Sequence, residues 1–211
     1  MVKLVIDSNM LREEELRRFL ANPRNYAVLT DYAAMEAYKG DTLRTIYKSM
    51  EIVSERPKQV IVLKGTRRIA GLSGRASGLQ RRMIDQEQTK GFSEYCRALQ
   101  AAKRGSPRLQ AELLRLGREA DEHLGKVLSD AAALPMSFDE ITENYTENEL
   151  RIIRTGSKFT PNMIDKLLQF VMVMAGEFTK SPFSRKPKSL SELPNLFVFR
   201  YALCSYLLTI G

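Results

Sequence analysis

Two acids stand where their types and spacing allow chemistry. Asp7 follows an apolar, β-branched run at residues 2–6, and Glu36 comes six residues after a second such run at 26–30. Carboxylates brought within a few ångströms of each other repel, and each is disfavoured as an anion unless a cation occupies the gap. Hard oxygen ligands of this kind suit Mg²⁺ or Mn²⁺. The same residues have a plainer use: Asp7 can cap the helix that follows it, and Glu36 can sit solvated on a helix surface. Spacing alone leaves both readings open, and Asp31 reads as a helix cap rather than a ligand.

The elements that must position these acids follow from periodicity. The first run stops at Asp7-Ser8-Asn9, residue types that favour turns and caps, so strand then helix is expected. Helical sequence at 11–20 ends at Asn22-Pro23, because the residue before a proline avoids the helical region. The strand at 26–30 runs into Asp31-Tyr32-Ala33-Ala34-Met35-Glu36, and Leu43, Ile46, Tyr47 and Met50 continue at helical spacing to Pro57. Residues 59–63 are apolar on both faces, as a buried parallel strand requires. Three β-then-α units predict a parallel, right-handed α/β sheet with its ligands at the carboxyl ends of the strands. Asp7 and the turn from Thr30 to Glu36 fall at those ends.

Beyond residue 65 the pattern turns helical. Gly71, Gly74 and Gly78 read as a loop, lacking the Gly-Lys-Ser/Thr ending of a P-loop. Helical sequence at 79–104 breaks at Gly105-Ser106-Pro107, and Leu109, Leu113, Leu116, Ala120, Leu124 and Leu128 then line one face, predicting a helical hairpin. Ser137 and Glu140 have capping-box spacing, and Thr160-Pro161 opens an apolar helix through Met163, Leu167, Phe170, Val171 and Met174. A Pro- and Ser-rich connector at 181–194 leads to a last helix. The expected division is 1–70 for an α/β core, 71–135 for a helical insertion and 136–211 for C-terminal helices.

Composition narrows the chemistry. The 211 residues carry a net charge of +8 with two cysteines far apart and one histidine, His123, which excludes zinc fingers and His-based triads. A reducing, cytoplasmic setting is expected. The apolar stretch at 196–210 is interrupted by Arg200 and is short of the ~20 residues a spanning helix needs, so no membrane association is expected. Between Arg56 and Ile84 lie Arg56, Lys58, Lys64, Arg67, Arg68, Arg75, Arg81 and Arg82 with no acid, a stretch suited to gripping phosphates, or to meeting an acidic surface.

Val5-Ile6-Asp7-Ser8-Asn9-Met10-Leu11 resembles the first motif of PIN-domain nucleases, an apolar strand ending in Asp-Ser/Thr-Asn, and Leu29-Thr30-Asp31-Tyr32-Ala33-Ala34-Met35-Glu36 resembles their second. The resemblance covers about the first 65 residues. It implies a Rossmann-like, three-layer parallel sheet bearing a large helical insertion, and a Mg²⁺- or Mn²⁺-dependent endoribonuclease that hydrolyses single-stranded RNA. Asp7 and Glu36 would be the catalytic metal ligands, Ser8, Asn9, Thr30 and Asp31 would shape the pocket, and Lys64, Arg67, Arg68 and Arg75 would contact nucleic acid. The family's later acidic motif is not found; Asp139, Glu140, Glu143 and Asp165 read as solvated helix residues. A final apolar helix without a polar tail implies a sheet that continues past Gly211. The alternatives are a non-catalytic module binding RNA or protein, or a toxin controlled by a partner; the partners expected besides RNA are a protein or a second copy of the chain in a homo-oligomer.

Overall fold

The computed structural model describes residues 1–39, 42–72, 77–179 and 190–210. Among the described residues it is helix-rich with one small parallel sheet, strands β1 (Val2–Ile6), β2 (Asn25–Leu29) and β3 (Val60–Val62) in that spatial order. Ile6 is level with Leu29 and Leu29 with Val62, so all three chains leave the sheet at one rim. A short 3₁₀ turn, Met10–Arg12, and helix α1 (Glu14–Leu20) connect β1 to β2. Helices α2 (Asp31–Tyr38) and α3 (Leu43–Glu55) connect β2 to β3.

Where the sequence predicts one helix from Asp31 to Pro57, the structure has two. The Thr42 hydroxyl accepts the amide of Thr45 and starts α3 afresh. Pro57, which has no amide to lose, opens a 3₁₀ turn before β3. The stretch at 79–104 is broken as well. Helix α4 (Thr66–Ala70) and helix α5 (Leu79–Met83) precede a bridge between Leu63 and Ile84, and Asp85 then caps helix α6 (Gln86–Lys103) by accepting the Gln88 amide at 3.0 Å. The outer edge of β3 is satisfied by this same turn, since Val62 donates to the Thr89 hydroxyl at 3.0 Å and accepts from the Asp85 amide at 2.9 Å.

Gly105, at φ +102°, makes the turn into helix α7 (Pro107–Thr142), which runs on through Ser137. The capping box expected at Ser137 and Glu140 is therefore not a helix start. That motif occurs instead at Thr146, which opens helix α8 (Glu147–Thr155): its hydroxyl accepts the Glu149 amide while Glu149 accepts the Thr146 amide. Helices α9 (Pro161–Thr179) and α10 (Phe197–Ile210) complete the chain. No helix among the described residues is long and apolar enough to cross a membrane.

The chain forms two compact units. The first comprises residues 1–65 and 83–128, so α6 and the first part of α7 pack with the sheet and not as the separate insertion drawn at 71–135. Its core joins Ile6, Leu29 and Val62 on one sheet face to Leu11, Leu16, Ala33, Ile46, Met50, Phe92, Cys96 and Leu113. Each large apolar side chain buried this way contributes roughly 1.5–3 kcal/mol. On the opposite face, Val28 and Ile61 lie outside this cluster and Val5 is 63% exposed. What is shown is a parallel three-stranded α/β sheet in a helix-rich chain, coarser than the three-layer expectation. The second unit, residues 66–82 and 129–211, is helical, with its own core of Tyr145, Ile153, Met163, Val171, Val198, Phe199, Ala202 and Tyr206. Met163 is buried there as expected, whereas Leu128, expected on the apolar face of α7, is exposed.

Candidate active site at the carboxyl rim of the sheet

The rim is built by the two turns that follow β1 and β2. Leaving β1, the chain closes a tight 3₁₀ turn in which Leu11 donates to the Ser8 carbonyl at 3.3 Å. Asp7 fixes this turn: its Oδ1 accepts the Met10 amide at 3.0 Å. The capping use of Asp7 is thus present, and it engages one of the two carboxylate oxygens. Leaving β2, Thr30 caps α2 by accepting the Ala33 amide at 3.1 Å. Thr30, not Asp31, is the cap. Asp31 is the first helical residue, where a negative charge favours the helix dipole, and its Oδ1 accepts the Tyr32 amide.

These two turns meet. The Ser8 hydroxyl donates to Glu36 Oε2, a contact spanning 28 residues that joins the loop after β1 to the second turn of α2. On the other side of α2, the Asp31 carboxylate comes within 3.5 Å of the position a side chain would take at Gly65, just past β3. One acid of α2 therefore faces the β1 turn and another approaches the end of β3.

Around the Ser8–Glu36 contact lies an open, polar cleft of about 500 Å³, lined by Ser8, Asn9, Arg12, Glu13, Glu36, Ala37, Lys39 and Ser49. Arg12 and Ser49 were not singled out by sequence reasoning. Ser49 is 1% exposed, a buried polar residue of α3 whose hydroxyl accepts from Arg12 Nε at 3.0 Å and Nη2 at 2.7 Å. This pair holds the Arg12 guanidinium at the cleft wall, where two N–H groups are committed and others remain for an anion. No local pattern marks it, because the partners are 37 residues apart.

The predicted basic residues are not carried by one element. Lys64 stands just beyond β3 at this rim, its amide bonded to the Met83 carbonyl. Arg56 and Lys58 lie at the opposite, amino end of β3. Arg68 is an exposed residue of α4 in the second unit, Arg67 belongs to the same helix, and Arg75 lies outside the described residues.

Whether these donors suit a divalent ion is a question of chemistry and number. Among the described residues, Asp7 Oδ2 and Glu36 Oε1 have no hydrogen-bond partner, while Oδ1 and Oε2 are oriented by Met10 and Ser8. No group of three or more acidic, histidine or cysteine side chains forms a cage among the described residues. Carboxylate oxygens are donors that suit Mg²⁺, which keeps several waters and takes further ligands from substrate phosphate; Glu36 lines the cleft, and Asp7, the residue before Ser8, is not among its lining residues. Comparison of the chain with protein-family models, curated proteins and solved structures returned no match.

Proposed function

We propose that the rim of the first unit hydrolyses phosphodiesters of single-stranded RNA with a divalent ion, on a sheet of PIN-like, Rossmann-type layering in a cytoplasmic protein. The observation that carries this reading is the Ser8–Glu36 contact, which brings together the two sequence segments that hold the acids. Glu36 and Asp7 would hold Mg²⁺ or Mn²⁺ through Oε1 and Oδ2. When bound, the ion supplies a water of lowered pKa and neutralises charge building on the phosphate.

The chain's own residues do the rest. The Ser8 hydroxyl orients the Glu36 carboxylate, and the Met10 amide orients that of Asp7. Arg12, held by Ser49, and the exposed Lys39 offer cationic donors to the phosphates flanking the scissile one. Lys64, just past β3, adds a further cation, and Asn9 lines the cleft. Thr30 sets where α2 begins and so where Glu36 sits along it.

The test is cleavage of single-stranded RNA in Mg²⁺ or Mn²⁺ by the intact protein, Glu36→Gln and Asp7→Asn at equal folded concentration. Both substitutions keep a side-chain carbonyl oxygen that can accept from Ser8 or Met10, so folding is preserved. Both abolish cleavage; activity equal to that of the parent protein in either variant refutes the proposal. A second reading, a binding module without catalysis, has Asp7's capping bond in its favour. It predicts salt-sensitive RNA binding by the unaltered protein with no cleavage under any divalent ion.

A further inference from the structure

The first unit holds a second cavity with a different character. It measures about 360 Å³ and is lined by Leu29 and Val62, the last residues of β2 and β3, by Tyr38 of α2, Met50 of α3, and Phe92 and Tyr95 of α6. Most of this lining is apolar and buried, with Leu29, Met50, Val62 and Phe92 all under one-tenth exposed. Gln88 and Gly91 of α6 stand at its exposed mouth. In parallel α/β sheets the carboxyl ends of the strands are where ligands enter.

Two observations indicate what the cavity takes. The first is its polar feature. The Tyr38 and Tyr95 hydroxyls bond to each other at 2.6 Å. Two hydroxyls bring two hydrogens, and their mutual bond uses one. The other has no acceptor among the described residues, in a pair whose Tyr38 is 9% exposed. The pair is part-buried, so the spare hydrogen is open to an acceptor from a guest, and a hydrogen bond of this kind contributes about 0.5–1.5 kcal/mol.

The second is Gly91. A glycine inside an exposed helical turn costs about 1 kcal/mol relative to alanine. Close packing does not require it here, since a Cβ at Gly91 would meet nothing within 4 Å. Its φ is not in the left-handed region either. What the missing side chain does is leave the mouth of the cavity open.

We infer that this cavity binds a small, neutral, planar aromatic molecule that carries one hydrogen-bond acceptor. The rings of Phe92, Tyr95 and Tyr38 and the side chains of Leu29, Met50 and Val62 bury its faces, and the spare tyrosine hydrogen meets its acceptor. Walls with no charged side chain disfavour an ionised ligand. The site is separate from the polar cleft, although α2 contributes Ala34 and Tyr38 to one and Glu36 and Ala37 to the other.

Quinoline, which has a ring nitrogen acceptor, and naphthalene, which has none, are the probes. Titration followed by calorimetry and by NMR contacts to the Phe92 and Tyr95 rings reads the site directly. Quinoline should saturate one site and bind roughly three- to tenfold more tightly than naphthalene, the worth of one hydrogen bond. That preference should vanish in the Tyr38→Phe/Tyr95→Phe double variant. Gly91→Leu plugs the mouth without disturbing the helix and should weaken quinoline at least tenfold; Gly91→Ala, with less bulk, should weaken it less. No saturation at millimolar quinoline, which would mean a cavity holding water only, overturns the inference. So does unchanged affinity in folded Gly91→Leu, or equal binding of the two probes by the unaltered protein.

Discussion

Each unit of the chain holds a pair of tyrosine hydroxyls bonded to each other, Tyr38 with Tyr95, part-buried, in the first and Tyr145 with Tyr206, buried, in the second, and their surroundings differ. In the first unit Phe92 lies 5.5 Å ring to ring from Tyr95, the Cys96 thiol is buried, and the charge of Glu112 acts on Tyr38, with no ion pair on its ring among the described residues. In the second, Lys166 lies 5.1 Å over the Tyr145 ring and pairs with Glu149 at 2.9 Å, and Phe170 packs 4.9 Å from Tyr206. The contrast teaches that a mutual phenol bond lets a core accept tyrosine without a backbone partner. What surrounds the pair then decides its electrostatics. Desolvation holds the Tyr38 proton, pushing its pKa up to about 12 against the hydrogen bond from Tyr95. Burial also raises Tyr145, with the Glu149 charge adding to it.

The comparison can be broken most forcefully at the two cores. Leu16 is 0% exposed and Met163 is 1% exposed, one in each unit. Leu16→Ala and Met163→Ala should each cost roughly 2–5 kcal/mol, with the more adaptable methionine site nearer the lower end. Urea unfolding at constant slope measures both, and a cost under about 1 kcal/mol would show that the site is not packed as described.

A sharper test uses alkali. Because the Tyr38 pKa is raised in the fold above the ordinary value near 10, its contribution is fully present below about pH 10. It is lost as the pH climbs towards 12, where the unfolded chain has already released the proton that the fold retains. Stability should fall by about 2–3 kcal/mol across that window. The Tyr38→Phe/Tyr95→Phe double variant should show a clearly smaller fall, with Tyr47 and Tyr145 still raised, while being nearly as stable at pH 7, since removing both partners strands neither. An identical alkaline fall in the double variant would assign it to other groups.

The smallest effects lie at the caps. Thr30→Ala and Thr146→Ala should each cost about 1 kcal/mol in thermal or urea melts. They should differ in consequence: Thr30→Ala loosens the helix that carries Glu36 and lowers RNA cleavage, whereas Thr146→Ala loosens α8 and leaves cleavage alone. Equal loss of cleavage in both would divorce Thr30 from the placement of Glu36.

The sheet was legible because its strands are short, apolar and stopped by turn residues, and because neighbouring parallel strands put Asp7 and Thr30 at one rim without any need to know the helices. The convergence of the Ser8 turn with Glu36 follows from that register. Helix boundaries were harder. Thr42 and Asp85 restart helices in stretches whose apolar spacing continues across the break, although Asp85 followed three residues later by Gln88 is itself a capping signal. Ser137 and Glu140 carry the same signal as Thr146 and Glu149, but only the latter pair follows a stretch that has already left the helix. The Arg12–Ser49 pair and the cavity at Gly91 arise from packing between distant segments, which periodicity does not encode.

Helix α2 is a party wall eight residues long, with the polar cleft on one side and the aromatic-lined hollow on the other. If a guest in the hollow tightens or tilts this wall, it changes what the cleft can hold. Thermodynamic reciprocity then requires that an occupant of the cleft alter the hollow's grip on its guest by the same factor.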